Sequence, residues 1–293
     1  MTITTLTNGD WRIRVSTQGG AIVDGYWRNQ PVFRPYPEAT ADNIETLKCG
    51  SFPLVPFGNR VAGNAFEVNG RRYHLTPNTD WDPLYLHGDA WLRQWQKASK
   101  APASMELSCT HESDTYTYKA EQVFELKNDT LSLVLSVRNT GARAMPFGLG
   151  HHPFFALTPE TTLRADAEAY WTERQNFLPD QRREIPKKLD FSKPAAIPDE
   201  WINNGFDGWN GEAIIQWPER NSALTITCSE NFNRFFLFHS DTEFEPGFKN
   251  DYFCFEPMTH DADGHPRFAD SGLVLLEPGQ ELTTHMALQM RAL

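Results

Sequence analysis

Four short stretches of the sequence gather side chains that can move protons or grip hydroxyl groups. Gly58-Asn59-Arg60 sits in the Pro- and Gly-rich run SFPLVPFGNRVAGNAF, and Leu86-His87-Gly88-Asp89 is followed by Trp91 and Trp95. Gly150-His151-His152-Pro153-Phe154-Phe155 comes just after an apolar strand, and Phe253-Cys254-Phe255-Glu256-Pro257 puts a carboxyl at the end of an aromatic one. Imidazole and carboxyl groups serve as general acids and bases near neutral pH, while amide and guanidinium groups supply directed hydrogen bonds. Taken singly, each group also has a plain structural role: a solvated arginine, a loop-capping histidine, a glutamate at a sheet edge. Glu256 stands apart. Its neighbours Phe253, Cys254 and Phe255 are apolar on both faces of the strand, so its carboxyl is expected to be partly buried and to need a compensating purpose.

The elements that must position these groups read as strands. Period-2 alternation runs through WRIRVST, AFEVNGRRYHL, AIIQWP, ALTITCS, RFFLFH, DYFCFEP and LTTHMALQM. The clearest hairpin spans Tyr116 to Asn139, two alternating strands around Lys127-Asn128-Asp129, and Asn8-Gly9 and Asn69-Gly70 mark further turns. No stretch holds a 3.6-residue period, and the 20 prolines leave little room for a long helix. Pro179 to Pro198 is polar and charge-rich and reads as an irregular excursion. No fixed-period repeat suggests a propeller. The expectation is an all-β fold, a large antiparallel β-sandwich forming one domain over residues 1–293.

Composition narrows the function classes. Hydrophobic residues are 40% and charged residues 22% of the 293, a balance that supports a sizeable core. A formal charge of −11 without any basic block offers no footprint for nucleic acid and disfavours anionic lipid. No apolar run approaches the ~20 residues that span a bilayer. The opening MTITTLTNGDWRIRV lacks a basic stretch leading into an apolar one, so no secretion signal is expected. Cys49, Cys109, Cys228 and Cys254 are scattered singly, as reduced packing residues of a cytoplasmic protein would be. Nine Trp and 20 Phe suggest a large core and stacking surfaces for sugar rings, with Trp91 as one candidate.

The run FGNRVAGNAFEVNGRRYHL, the LHG at Leu86–Gly88, the HPFF at His152–Phe155 and the EP at Glu256-Pro257, in that order, resemble the aldose 1-epimerases, also called galactose mutarotases. The resemblance extends to the closing LEPGQELTTHMAL, and FDGWNGEAIIQWP resembles the bacterial branch. It implies a β-supersandwich with a carbohydrate cleft on a concave face. It also implies a substrate-binding role for Arg60 and His87, with the adjoining Asn59, and puts the catalytic acid on His152 rather than His151 and the catalytic base on Glu256. The family's sugar-binding Asp falls on Asn203, with Asp207 four residues on as a second candidate. An amide can still bond a hydroxyl but lacks the charge that strengthens such a bond.

Mutarotation opens a cyclic hemiacetal and recloses it on the other carbonyl face. It needs one proton taken from the C1 hydroxyl and one delivered to the ring oxygen, with no metal, nucleotide or redox cofactor. Glu256 as carboxylate and His152 as imidazolium are the expected forms, given ordinary values of ~4.3 and ~6.5. The expected partner is a free hexose, acted on by a monomer or homodimer. Other readings are a metal site using His151-His152 or His260-Asp261-Ala262-Asp263-Gly264-His265, a glycosidase pairing Glu256 with Asp207 or Asp251, and a non-catalytic sugar-binding module. A hexose-6-phosphate or sulfonated-sugar mutarotase would want further cations beside Arg60, for which Arg71, Arg72 and Arg93 are conceivable.

Overall fold

The computed structural model describes residues 1–293; its regular structure is antiparallel strands joined by loops, and its only helical segments are three-residue 3₁₀ turns. A nine-stranded sheet runs in the order Ala195–Ala196, Thr162–Ala165, Glu212–Trp217, Ser222–Cys228, Glu281–Ala292, Thr130–Asn139, Thr117–Lys127, Ser104–Glu112, Gln96–Ala101. A second large sheet runs Leu178–Arg183, Ala169–Arg174, Ile202–Asp207, Arg234–His239, Tyr252–Met258, Gly150–His151, Pro53–Leu54, with Phe154–Ala156 also paired to Tyr252–Met258. The expected all-β antiparallel sandwich is the observed fold.

Alternation explains the first sheet. Thr117–Lys127 buries Tyr118, Ala120, Gln122, Phe124 and Leu126 and exposes Lys119, Glu121 and Glu125. Its partner Thr130–Asn139 does the same in register, Phe124 opposite Leu133. The hairpin turns at Asn128, whose φ of 48° is one that Asn tolerates better than most residues. A smaller N-terminal sheet, Ile3–Asn8 to Gln30–Pro31, is latched to that turn: Trp11 Nε1 donates to the Asp129 carbonyl at 3.0 Å and Trp27 Nε1 to its carboxylate at 2.9 Å.

The second sheet behaves differently because both of its faces are covered. Tyr252–Met258 is buried at all seven positions. Phe253 and Phe255 join the main 56-residue cluster, while Cys254 and Met258 face a second cluster of 14 residues. A covered strand loses its polar alternation, and a carboxylate within it is conspicuous for that reason.

One expectation is corrected. Pro179 to Pro198 is not wholly irregular: Leu178–Arg183 is an edge strand of the second sheet and Ala195–Ala196 an edge strand of the first. Leu178–Arg183 is exposed over its last four residues, so no core-facing alternation betrays it.

Candidate active site

The second sheet forms the floor of a cavity of about 380 Å³. Glu256 lies on the central strand beside Phe236, its cross-strand partner, and is 2% exposed. His152 enters between the short strands Gly150–His151 and Phe154–Ala156, its N–H donating to the Phe52 carbonyl at 2.9 Å. Its ring is stacked between Phe52, at 4.6 Å, and Phe154, at 4.7 Å. This sandwich fixes the imidazole plane and sets Nε2 3.4 Å from Glu256 Oε1. His152 Nδ1 and Glu256 Oε2 are buried without a hydrogen-bond partner. Such atoms are costly unless something else occupies the space.

A second wall comes from two loops locked to each other. Asn59 and His87 both adopt left-handed backbone, at φ 61° and 57°. The Asn59 N–H donates to His87 Nδ1 at 3.0 Å, and the His87 N–H returns a bond to the Asn59 carbonyl at 3.0 Å. An accepting Nδ1 leaves the imidazole proton on Nε2. The Asn59 side chain turns back to accept from the Arg60 N–H at 2.8 Å, so it braces the loop. Arg60 directs Nε and Nη2 to Asp82 Oδ2 at 2.8 and 2.7 Å and lies over the Phe177 ring at 4.9 Å. Gly88 is required here: its φ is 67°, and a Cβ would come within 2.2 Å of the Val55 carbonyl oxygen.

Burial dominates the electrostatics. It lifts the Glu256 carboxyl well above its ordinary range, opposed by the Arg60 charge. It pushes His152 down to about 3, the nearby Arg34 charge also lowering it, and pushes His87 well below its ordinary value, aided by His152 and Arg60. Burial thus works against the expected carboxylate–imidazolium forms, favouring the carboxylic acid on Glu256 and the neutral imidazole on His152. The two descriptions contain the same number of protons and differ only in where one of them sits.

Asn203 is buried on strand Ile202–Asp207 and lines the cavity, donating from Nδ2 to Glu173 Oε1 at 3.1 Å. Asp207 shares its face of the strand but lies four pairs further along and outside the cavity, held by Arg182 Nε at 2.8 Å.

A family model described as Aldose 1-epimerase matches residues 2–289. The chain belongs to the aldose 1-epimerase family. It is 43% identical over 292 residues to the uncharacterized protein YphB of Escherichia coli K12, covering 99% of each chain. It is 25% identical over 226 residues to human galactose mutarotase, covering 70% of this chain and 60% of that one. A crystal structure from Escherichia coli K12 superposes with a TM-score of 0.95 at 42% identity, covering 100% of this chain and 99% of the other.

In this epimerase-family chain, Arg60, His87, His152, Asn203 and Glu256 converge on one cavity with Asn59. Trp91 does not: it is buried behind the site, stacked on Phe52 at 5.5 Å, with its N–H given to the Leu86 and Gly88 carbonyls. The aromatic lining comes instead from Trp81, Phe177, Trp201, Phe236, Phe238 and Phe244. Arg34 was not singled out in the sequence, yet it lines the cavity over the Phe154 and Tyr252 rings at 4.0 and 4.5 Å. Arg71 and Arg72 lie on an exposed strand, and Arg93 bonds His111, all away from the cavity. His260 accepts from the Gly58 N–H at 2.9 Å and His265 shares a hydrogen bond with the Tyr116 hydroxyl at 3.1 Å. No group of three or more His, Cys, Asp or Glu side chains is arranged to hold a metal ion.

Proposed function

We propose that this protein interconverts the α and β anomers of a hexose. The observation that carries the reading is the buried pair of His152 and Glu256, 3.4 Å apart on the floor of a cavity also lined by Arg60, His87 and Asn203. One proton first passes from Glu256 to His152; Glu256, now a carboxylate, takes the C1 hydroxyl proton as the C1–ring oxygen bond breaks, and His152, now an imidazolium, delivers a proton from Nε2 to the ring oxygen. The open aldehyde rotates about C1–C2, and the same transfers in reverse close the ring on its other face. Ring opening leaves Glu256 protonated and His152 neutral, the forms that burial favours. Arg60 and His87 hold ring hydroxyls rather than exchange protons.

Of the cations lining the cavity, Arg60 is paired with Asp82 and Lys48 with Glu45, while Arg34 has no carboxylate partner and donates to the Leu47 and Cys49 carbonyls. Glu245 adds a carboxylate to the lining. Arg34 is therefore the cation that a phosphate or sulfonate on the sugar would meet. The same reading takes residues 1–293 as one domain, since the larger core draws on residues from Leu6 to Met290, and assigns it to the cytoplasm, where four unpaired cysteines are at home.

The experiment is the optical rotation of freshly dissolved α-D-glucose and α-D-galactose with and without the protein, beside Glu256→Gln. Faster approach to equilibrium that the variant lacks is the expected result. Equal rates with wild type, variant and buffer for both sugars would overturn the proposal.

A further inference from the structure

The Asn203 amide does not stand in the cavity alone. Behind it, on strand Ala169–Arg174, the half-buried Glu173 accepts two hydrogen bonds, from Asn203 Nδ2 at 3.1 Å and from Trp201 Nε1 at 2.7 Å. Both carboxylate oxygens are thereby used on residues of the cavity wall. A carboxylate has no proton to give, so the Asn203 atom facing it must be the amide nitrogen. The carbonyl oxygen Oδ1 is left without a protein donor and is not sealed off by burial. Trp201 is fixed by the same carboxylate and packs edge-on to Phe238 at 5.4 Å and against Phe244 at 5.1 Å.

We propose that Glu173 is a positioning residue that sets the polarity of Asn203, so that the cavity offers an acceptor, Oδ1, to a sugar hydroxyl at this point. This rests on the mutarotase reading of the cavity. The glutamate never touches sugar. Its negative charge polarises the amide and forbids the flipped orientation, which would oppose Oδ1 to a carboxylate oxygen. An aspartate at 203 is excluded for the same reason, because it would bring two carboxylates to hydrogen-bonding distance with no proton between them. Exchanging the two chemistries restores the pattern. With Gln at 173 and Asp at 203, the glutamine oxygen still accepts from Trp201, its NH₂ donates to the aspartate, and the remaining aspartate oxygen faces the sugar.

The test is the four-protein cycle of wild type, Glu173→Gln, Asn203→Asp and the double variant. Mutarotation kcat and KM are measured with galactose and glucose, and sugar Kd by calorimetry. Glu173→Gln keeps the Trp201 bond but presents an NH₂ to Asn203, which then turns its own NH₂ into the cavity. Each single change is expected to raise KM and Kd about tenfold or more with kcat changed less than about threefold, and the double variant to return within about threefold of wild type. Additive losses, or an unchanged KM in Glu173→Gln, would overturn the proposal; the latter comparison decides alone if Asn203→Asp does not fold. A wild type that binds hexose without mutarotation would sink the catalytic reading while the cycle is read in Kd. A wild type that binds neither sugar would overturn both.

Discussion

The His152 imidazole and the Glu256 carboxyl face each other at 3.4 Å, with burial driving each towards its uncharged form. Two such groups act as a unit, because the proton one releases is the proton the other lacks. Replacing either breaks the whole relay. Glu256→Gln and His152→Gln are each expected to lower kcat by about 10²–10⁴-fold, the usual worth of a positioned acid or base. The double variant should be no slower than the slower single one, as for other catalytic residues that work together. Polarimetric rates for the three variants check this, and multiplicative losses would mean that the groups act in separate steps.

The shared proton also dictates the pH profile. Both groups are protonated only below about 3, where His152 gains its charge, and both are deprotonated only when Glu256 ionises, well above its ordinary range. Between these limits the pair carries one proton. An unperturbed pair would instead lose its working form above ~6.5, tenfold per pH unit. The expected kcat/KM therefore does not fall as pH rises through the ordinary histidine value of ~6.5, once the buffer rate is subtracted. A fall of about fivefold between pH 6.5 and 7.5 would show that His152 titrates normally in the working enzyme.

How far the site was legible depended on what each residue must do. Glu256 stood out because a carboxyl inside an apolar run is rare, whereas His152 was told from His151 only by the family resemblance. The cavity wall was not legible in this way. Phe177, Trp201 and Phe244 look like any core aromatics in sequence, and only the pairing of distant strands brings them to the mouth. Trp91 had the better motif context and turned out to be packing. Asp207 was separated from Asn203 by burial partners that sequence does not encode locally: Arg182 claims it from a strand hidden by its own exposure. Glu173 sits in the polar run Thr172-Glu173-Arg174-Gln175, where nothing distinguishes it from a solvated charge.

Six buried histidines make the fold acid-sensitive. Burial pushes His151 down to about 4 and His152, His260 and His265 down to about 3, and it also lowers His87 and His111. Lowered values mean that the unfolded chain binds protons first. The stability these groups contribute is present above their ordinary ~6.5 and is lost as pH falls towards their folded values, by at most about 1.4 kcal/mol per pH unit for each. Glu256 has the opposite sign, since its raised value favours the fold most at low pH and the benefit is lost as pH rises. Urea midpoints should therefore drop steeply from pH 6.5 to pH 4.5. His260→Gln, whose amide oxygen can still accept from the Gly58 N–H, should make that slope shallower by one histidine's share. An unchanged slope would remove His260 from the account.

Gly88 offers a test of whether backbone geometry positions His87. Its φ of 67° is unfavourable for any residue with a Cβ, and the Cβ would lie 2.2 Å from the Val55 carbonyl oxygen and 2.5 Å from Pro56 Cδ. Gly9 is the natural control, with a similar φ of 55° and nothing within 4 Å of the added carbon. Gly9→Ala should cost only the left-handed conformation, about 1–2 kcal/mol. Gly88→Ala must also move backbone against backbone, and the loop carrying His87 has to shift away from Val55. It should therefore cost more than Gly9→Ala in chemical denaturation. At temperatures where it is still folded, it should also raise KM for hexose, because His87 Nε2 no longer points to its hydroxyl. A Gly88→Ala variant that loses stability while keeping a wild-type KM would show that His87 tolerates displacement and that the locked pair of loops is there for the fold alone.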